Sequence, residues 1–114
     1  MSDNVTHLPK SAPPEIVEQL KASHHEIFKL SVGDEVIIVR RPTEAEYDAC
    51  LDQLASASGS KHRPVAKLAR QTCLWPTKED FALILAKEPG LGLAFGEKVM
   101  GLAGIGRKAK IEKL

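Results

Sequence analysis

Aromatic residues are scarce: one Trp, one Tyr and three Phe make up 4% of the 114 residues. The basic tail, Arg107, Lys108, Lys110 and Lys113, has no aromatic residue interleaved for base stacking. Cysteine is almost absent too. Cys50 and Cys73 are too few for a disulfide framework, and neither belongs to the paired spacing of a structural zinc site. No apolar run approaches the ~18 residues of a membrane span, and the first residues carry no apolar signal core. Neither sign of charge dominates, since 16 Lys and Arg against 15 Asp and Glu leave +1; binding of nucleic acid or membrane by bulk charge is excluded. What is there is ordinary for a soluble globular protein: 43% hydrophobic and 27% charged residues. A chain of this length buries roughly 65% of its unfolded surface and suits one domain.

Residues 1–13 are polar and contain proline, and read as a flexible leader. Pro13-Pro14 opens a short helix from Glu15 to Ser23, with Ile16, Val17 and Leu20 as its apolar stripe. Phe28, Leu30 and Val32 then alternate with Lys29 and Ser31, Gly33-Asp34 follows, and Glu35 to Val39 is a β-branched run. Alternation, a Gly-X turn and such a run predict a hairpin at about residues 26–41. With Gly33-Asp34 as the loop, Val32 pairs with Glu35, Leu30 with Ile37 and Phe28 with Val39. One face then carries Phe28, Leu30, Ile37 and Val39, and the other carries Val36 and Ile38.

Arg40-Arg41-Pro42 ends the second strand, and Thr43 with Glu46 has the spacing of a capping box. The helix this opens runs from Glu44 to about Ser56, with Tyr47, Cys50, Leu51 and Leu54 as its inner face and Glu44, Asp48 and Asp52 as an acidic stripe. A third helix is expected from Pro64 towards Leu74, buried through Val65, Leu68, Ala69 and Thr72 and basic along Arg63, Lys67 and Arg70. The acidic and basic helices are expected to pair antiparallel with complementary flanks. Thr77, with Asp80 three residues on, caps a fourth helix buried through Phe81, Ile84 and Leu85 and stopped at Pro89-Gly90. A fifth, from about Leu91 to Ala103, uses Phe95, Val99 and Leu102. The domain spans residues 14–104, and residues 105–114 form a basic tail expected to fray. The fold class is α+β: an N-terminal β-hairpin packed on a small bundle of four to five short helices.

No motif supports catalysis or a cofactor. Gly101 and Gly106 have the spacing of a phosphate-binding loop, but Arg107-Lys108-Ala109 replaces the lysine and hydroxyl that loop requires. Gly90, Gly92 and Gly96 lack the dinucleotide spacing and read as helix stops and close helix packing. His24 and His25 are adjacent and diverge on any regular element, which argues against a metal site. Cys50 or Cys73 with His62 is formally a nucleophile pair, yet Cys50 sits on an apolar stripe.

The run from Val36 to Arg40 entering Arg41-Pro42-Thr43-Glu44-Ala45-Glu46-Tyr47, then Cys73-Leu74-Trp75-Pro76-Thr77, then Pro89-Gly90-Leu91 and Leu102-Ala103-Gly104, resembles the small tail assembly chaperones of long-tailed bacteriophages and prophages. The resemblance covers residues 14–104, and its motifs are strand ends, caps and helix starts. It departs at Trp75, where a tyrosine or smaller apolar residue is usual, and in the basic tail. It implies a protein without enzymatic activity or cofactor that binds the tape measure protein in the bacterial cytoplasm before the tail tube forms, and that is absent from the mature virion. Self-association is expected as well, since a hairpin edge invites it. No membrane partner is implied.

A two-stranded sheet leaves its second face open, so the partner surface is expected at Val36 and Ile38, with Arg40 at its rim and Trp75 as a further contact. The rival reading is a small nucleic-acid-associated regulator that uses the basic helix at Arg63, Lys67 and Arg70 together with the tail.

Overall fold

The computed structural model describes residues 12–24, 26–56, 62–104 and 111–114. Its elements run α1 (Pro14–Ser23), β1 (Phe28–Val32), β2 (Glu35–Val39), α2 (Glu44–Ser56), α3 (His62–Thr72), β3 (Cys73–Trp75), α4 (Lys78–Lys87) and α5 (Gly90–Leu102). The hairpin precedes the bundle as expected, and its register is the expected one: Phe28 opposite Val39, Leu30 opposite Ile37, Val32 opposite Glu35. Gly33 turns the chain at φ +60°, a backbone region that disfavours a Cβ.

The sheet has three strands, not two, in the order β1-β2-β3 and antiparallel throughout. The third helix therefore stops at Thr72 and does not continue to Leu74. The cause is local. Trp75 precedes Pro76, and a residue before proline is pushed out of the helical region into extended backbone. The peptide between them is cis. Thr72 closes the helix by donating its buried hydroxyl to the Leu68 carbonyl at 2.9 Å, and its own carbonyl accepts from the Arg40 N–H at 3.0 Å. Cys73–Trp75 then adds to the free edge of β2, with Ile38 opposite Trp75, Val39 opposite Cys73 and an irregularity between them. This makes β2 the central strand, and its side chains are buried on both faces, which accounts for the unbroken apolar run from Val36 to Val39.

The core lies between the inner face of this sheet and the helices. Ile37, Val39, Leu68, Phe81, Ile84, Phe95 and Val99 are fully buried or nearly so. Phe81 and Phe95 meet edge to face at 5.9 Å between ring centroids. Helices α3 and α5 approach closely because α5 presents glycine there: a Cβ at Gly96 would lie 2.3 Å from the Val65 carbonyl oxygen, and one at Gly92 would lie 2.9 Å from the Ala66 Cβ. The reading of these glycines as close helix packing holds.

Both capping signals are realised. Thr77 Oγ1 accepts from the Asp80 N–H at 3.1 Å at the start of α4. At α2, Thr43 Oγ1 accepts from the Glu46 N–H at 3.1 Å while Glu46 Oε1 accepts from the Thr43 N–H at 2.9 Å. The inner face of α2 is narrower than expected, however. Tyr47 and Leu54 are half-buried and Cys50 is buried, but Leu51 is 38% exposed. Among the described residues, α3 is the helix that α2 meets most closely, and Leu51, four residues on from Tyr47, stays in water. The acidic and basic stripes do not pair either: among the described residues no ion pair joins Glu44, Asp48 or Asp52 to Arg63, Lys67 or Arg70. The helices touch through buried side chains, as where the Cys50 thiol lies 3.5 Å from the Pro64 carbonyl, and the charges point outward.

Candidate functional site

The four residues expected to bind a partner separate into three environments. Val36 and Ile38 are 6% and 4% exposed, so the β2 part of the second face is covered, while Lys29 and Ser31 opposite them on β1 are exposed. This corrects the expectation drawn from a two-stranded sheet. Trp75 stands beside Ile38 on β3, and Val17 and Lys21 of α1 line one recess with Ile38, Ile27 and Lys29. A third strand and the N-terminal helix thus flank the face that a bare hairpin would expose. Trp75 itself is half-buried.

Arg40 is held within the chain. Its guanidinium donates to both carboxylate oxygens of Glu46, at 2.8 and 2.7 Å, and to the Gln71 carbonyl at 3.1 Å. The paired fork geometry is the strong form of this contact, and it keeps the Glu46 carboxyl ionised down to about pH 2 against an ordinary 4.5. Arg40 is therefore a clasp that joins the end of β2 to the start of α2 and the end of α3. No rim contact was needed to explain it.

The neighbouring Arg41 takes different partners. It donates to the Leu102 carbonyl at the end of α5, pairs with Glu26 at 3.1 Å and lies over the Phe28 ring at 5.1 Å. Arg41 thereby brings the strand end and the α5 end to one place. Between them opens a surface recess of about 590 Å³, lined by Arg41, Pro42, Thr43, Glu44, Tyr47, Leu102, Ala103 and Gly104. Tyr47 and Leu102 are half-buried in it, and Thr43, Glu44 and Ala103 are exposed at its mouth. Sequence reasoning placed Tyr47 and Leu102 on apolar helix faces and in two separate stretches of the family resemblance, and did not bring them together. The juxtaposition was out of its reach, because it depends on where α5 ends relative to α2.

The remaining chemistry-bearing groups are accounted for structurally. Both cysteine thiols are buried, and burial pushes Cys73 up to about 11 and raises Cys50 as well. Among the described residues, no group of three or more His, Cys, Asp or Glu is placed to hold a metal ion. His25, Gly106 and the basic tail positions Arg107, Lys108 and Lys110 lie outside the described residues. Ile111–Leu114 is exposed and without regular secondary structure. No described helix is long and apolar enough to cross a membrane.

Comparison with known proteins yields no matching family model and no matching curated protein. Among solved structures, the chain is similar to an uncharacterised protein of Bacillus stearothermophilus. The TM-score is 0.71 and the sequence identity 16%, over 84% of this chain and 99% of that one. At that identity the likeness is one of fold.

Proposed function

We propose that this chain is a tail assembly chaperone of a long-tailed bacteriophage or prophage: a binding protein without catalysis that holds the helical tape measure protein in the bacterial cytoplasm and leaves before the virion is complete. The observation that supports the reading best is the composition of the 590 Å³ recess. Two of the stretches on which the resemblance rests, Arg41 to Tyr47 and Leu102 to Gly104, are remote in sequence and meet there. A recess with Tyr47 and Leu102 at its base and Arg41 and Glu44 at its flanks suits an amphipathic helix, whose apolar stripe needs cover and whose edges carry charge.

The test is co-expression with a tape measure protein of a long-tailed bacteriophage. The wild type should keep that protein soluble and co-purify with it in high salt. Ala103 is exposed at the recess, so Ala103→Trp should fill it without disturbing the core. The variant is expected to fold normally by circular dichroism and to lose the partner. Undiminished capture by Ala103→Trp would move the binding surface elsewhere, and failure of the wild type to capture any tape measure protein would remove the reading.

One observation favours the rival. Arg63, Lys67 and Arg70 are all exposed along α3 and none is held in an ion pair, as phosphate contacts require. A nucleic-acid-associated regulator would show DNA affinity falling steeply with salt, whereas capture of a helical polypeptide through an apolar recess would tolerate it.

A further inference from the structure

The second face of the sheet carries apolar side chains that stand apart from the main core. Val36 and Ile38 are buried there, yet neither belongs to the cluster built around Ile37 and Val39 on the inner face. Helix α1 lies against this face beside Ile38. Its apolar stripe, Ile16, Val17 and Leu20, is only half-buried, and none of it joins the main core. Among the described residues, no hydrogen bond or ion pair ties α1 to the rest of the chain. Nor does α1 fill the space beside it. A recess of about 350 Å³ remains between its Val17 and Lys21 and the side chains of Ile27, Lys29 and Ile38. A helix of 10 residues is marginal in water by itself, so the half-buried stripe is what holds α1 in place.

We propose that α1 is an exchangeable occupant of this face, and that an amphipathic helix of another protein takes its place beside Ile38. Three observations select that partner. The site already holds a helix through apolar residues at Ile16, Val17 and Leu20, so its spacing suits one helical stripe. The unfilled recess beside Val17 favours a helix with a bulkier aliphatic or aromatic residue at that step, which buries apolar area that α1 leaves open. Lys29, opposite Ile38 on β1, is exposed and in no ion pair among the described residues, so an acid on the partner's edge would meet it. In the free chain the partner must compete with α1, and its apparent affinity falls with the fraction of chains in which α1 is unseated. The site shares no lining residue with the recess at Arg41 and Tyr47. The proposal therefore stands whether or not the tape measure reading holds.

Two substitutions at one residue of the full chain push α1 in opposite directions. Val17→Asp puts a charge beside the apolar recess and should release α1, whereas Val17→Phe fills the recess and should fasten it. The probe is a synthetic peptide of residues 13–24 carrying Val17→Phe, which keeps the acids Glu15 and Glu18. Its binding is read by the fluorescence of Trp75, the one Trp of the chain, which lies opposite Ile38 on the same face. Against the wild type, the peptide should bind Val17→Asp about tenfold tighter and Val17→Phe about tenfold weaker, the effect of one apolar group on how firmly α1 is seated. In the wild type, native-state hydrogen exchange should show the α1 amides opening alone, while those of β2 exchange on global unfolding. Equal affinity for the three chains would overturn the proposal, because the peptide would then sit elsewhere. So would α1 amides that exchange together with those of β2, a measurement that decides even where Val17→Asp fails to fold. A wild-type dimer that Val17→Asp dissolves would overturn it too, since α1 would then seat on a second copy.

Discussion

Helices α1 and α5 make an instructive pair. Helix α1, PEIVEQLKAS, has good helix formers, a proline at its first turn, an acid at its start and a lysine at its end, yet none of its residues is buried. Helix α5, GLGLAFGEKVMGL, carries glycine at four of 13 positions and has no side-chain cap, yet it buries Gly92, Phe95, Gly96, Val99 and Met100. Each interior glycine costs a helix up to about 1 kcal/mol against alanine. Tertiary packing offsets that cost, because Gly92 and Gly96 let α5 approach α3 closely enough for Phe95 and Val99 to fill the core. Local propensity tells where a helix forms; depth of burial depends on what the helix can approach.

The comparison breaks first at the core. Phe95→Ala should destabilise by about 3–5 kcal/mol by emptying the space beside Phe81, whereas Val17→Ala on the half-buried stripe of α1 should cost under about 1 kcal/mol. Paired urea melts decide it, and equal losses would mean that α1 is as much part of the core as α5. Gly96→Ala comes next. Its Cβ would strike the backbone carbonyl of Val65, so the helices must separate, at about 3 kcal/mol. Gly101, in the same helix, has nothing within 4 Å of an added Cβ, so Gly101→Ala should stabilise by about 0.5 kcal/mol. Opposite signs at two glycines of one helix would sharpen the role assigned to close approach, and matching signs would remove it.

The Arg40–Glu46 clasp gives a smaller, pH-dependent effect. The carboxyl of Glu46 titrates at about 2 in the folded chain and near 4.5 when free of its partners. The unfolded chain therefore takes up that proton first as the pH falls. The stabilisation is complete above about pH 5 and disappears towards pH 2, amounting to about 2 kcal/mol for this partly exposed pair. Glu46→Gln should flatten that part of the acid melting curve. A small effect is expected at Leu51 too. Exposed on α2, Leu51→Ala should cost the isolated domain less than about 1 kcal/mol, far below the loss for a core leucine. A core-sized loss in dilute monomer would return Leu51 to the interior.

Period and punctuation made much of the fold legible. The hairpin and its register followed from alternation around Gly33-Asp34, and the α2 and α4 starts followed from Thr43 with Glu46 and Thr77 with Asp80. The stripes Val65-Leu68-Ala69 and Phe81-Ile84-Leu85 are buried as their spacing implies. The third strand was written in the chain as well, in a β-favouring Cys73-Leu74-Trp75 held extended by Pro76, but helical spacing through Thr72 masked it. Missing that strand left Val36 and Ile38 without cover, and the expected partner surface followed from the omission.

What the sequence determined by itself is whatever depends on neighbours a few residues away: caps, turn, register and the apolar face of most helices. Only the tertiary structure decided which faces meet. It buried Val36 and Ile38, committed Arg40 to Glu46 and Gln71, left Leu51 in water, and brought Arg41 and Tyr47 beside Leu102 to form a recess. Those outcomes depend on where remote helix ends fall relative to one another, and a one-dimensional pattern repeats a helix face without saying what lies opposite it.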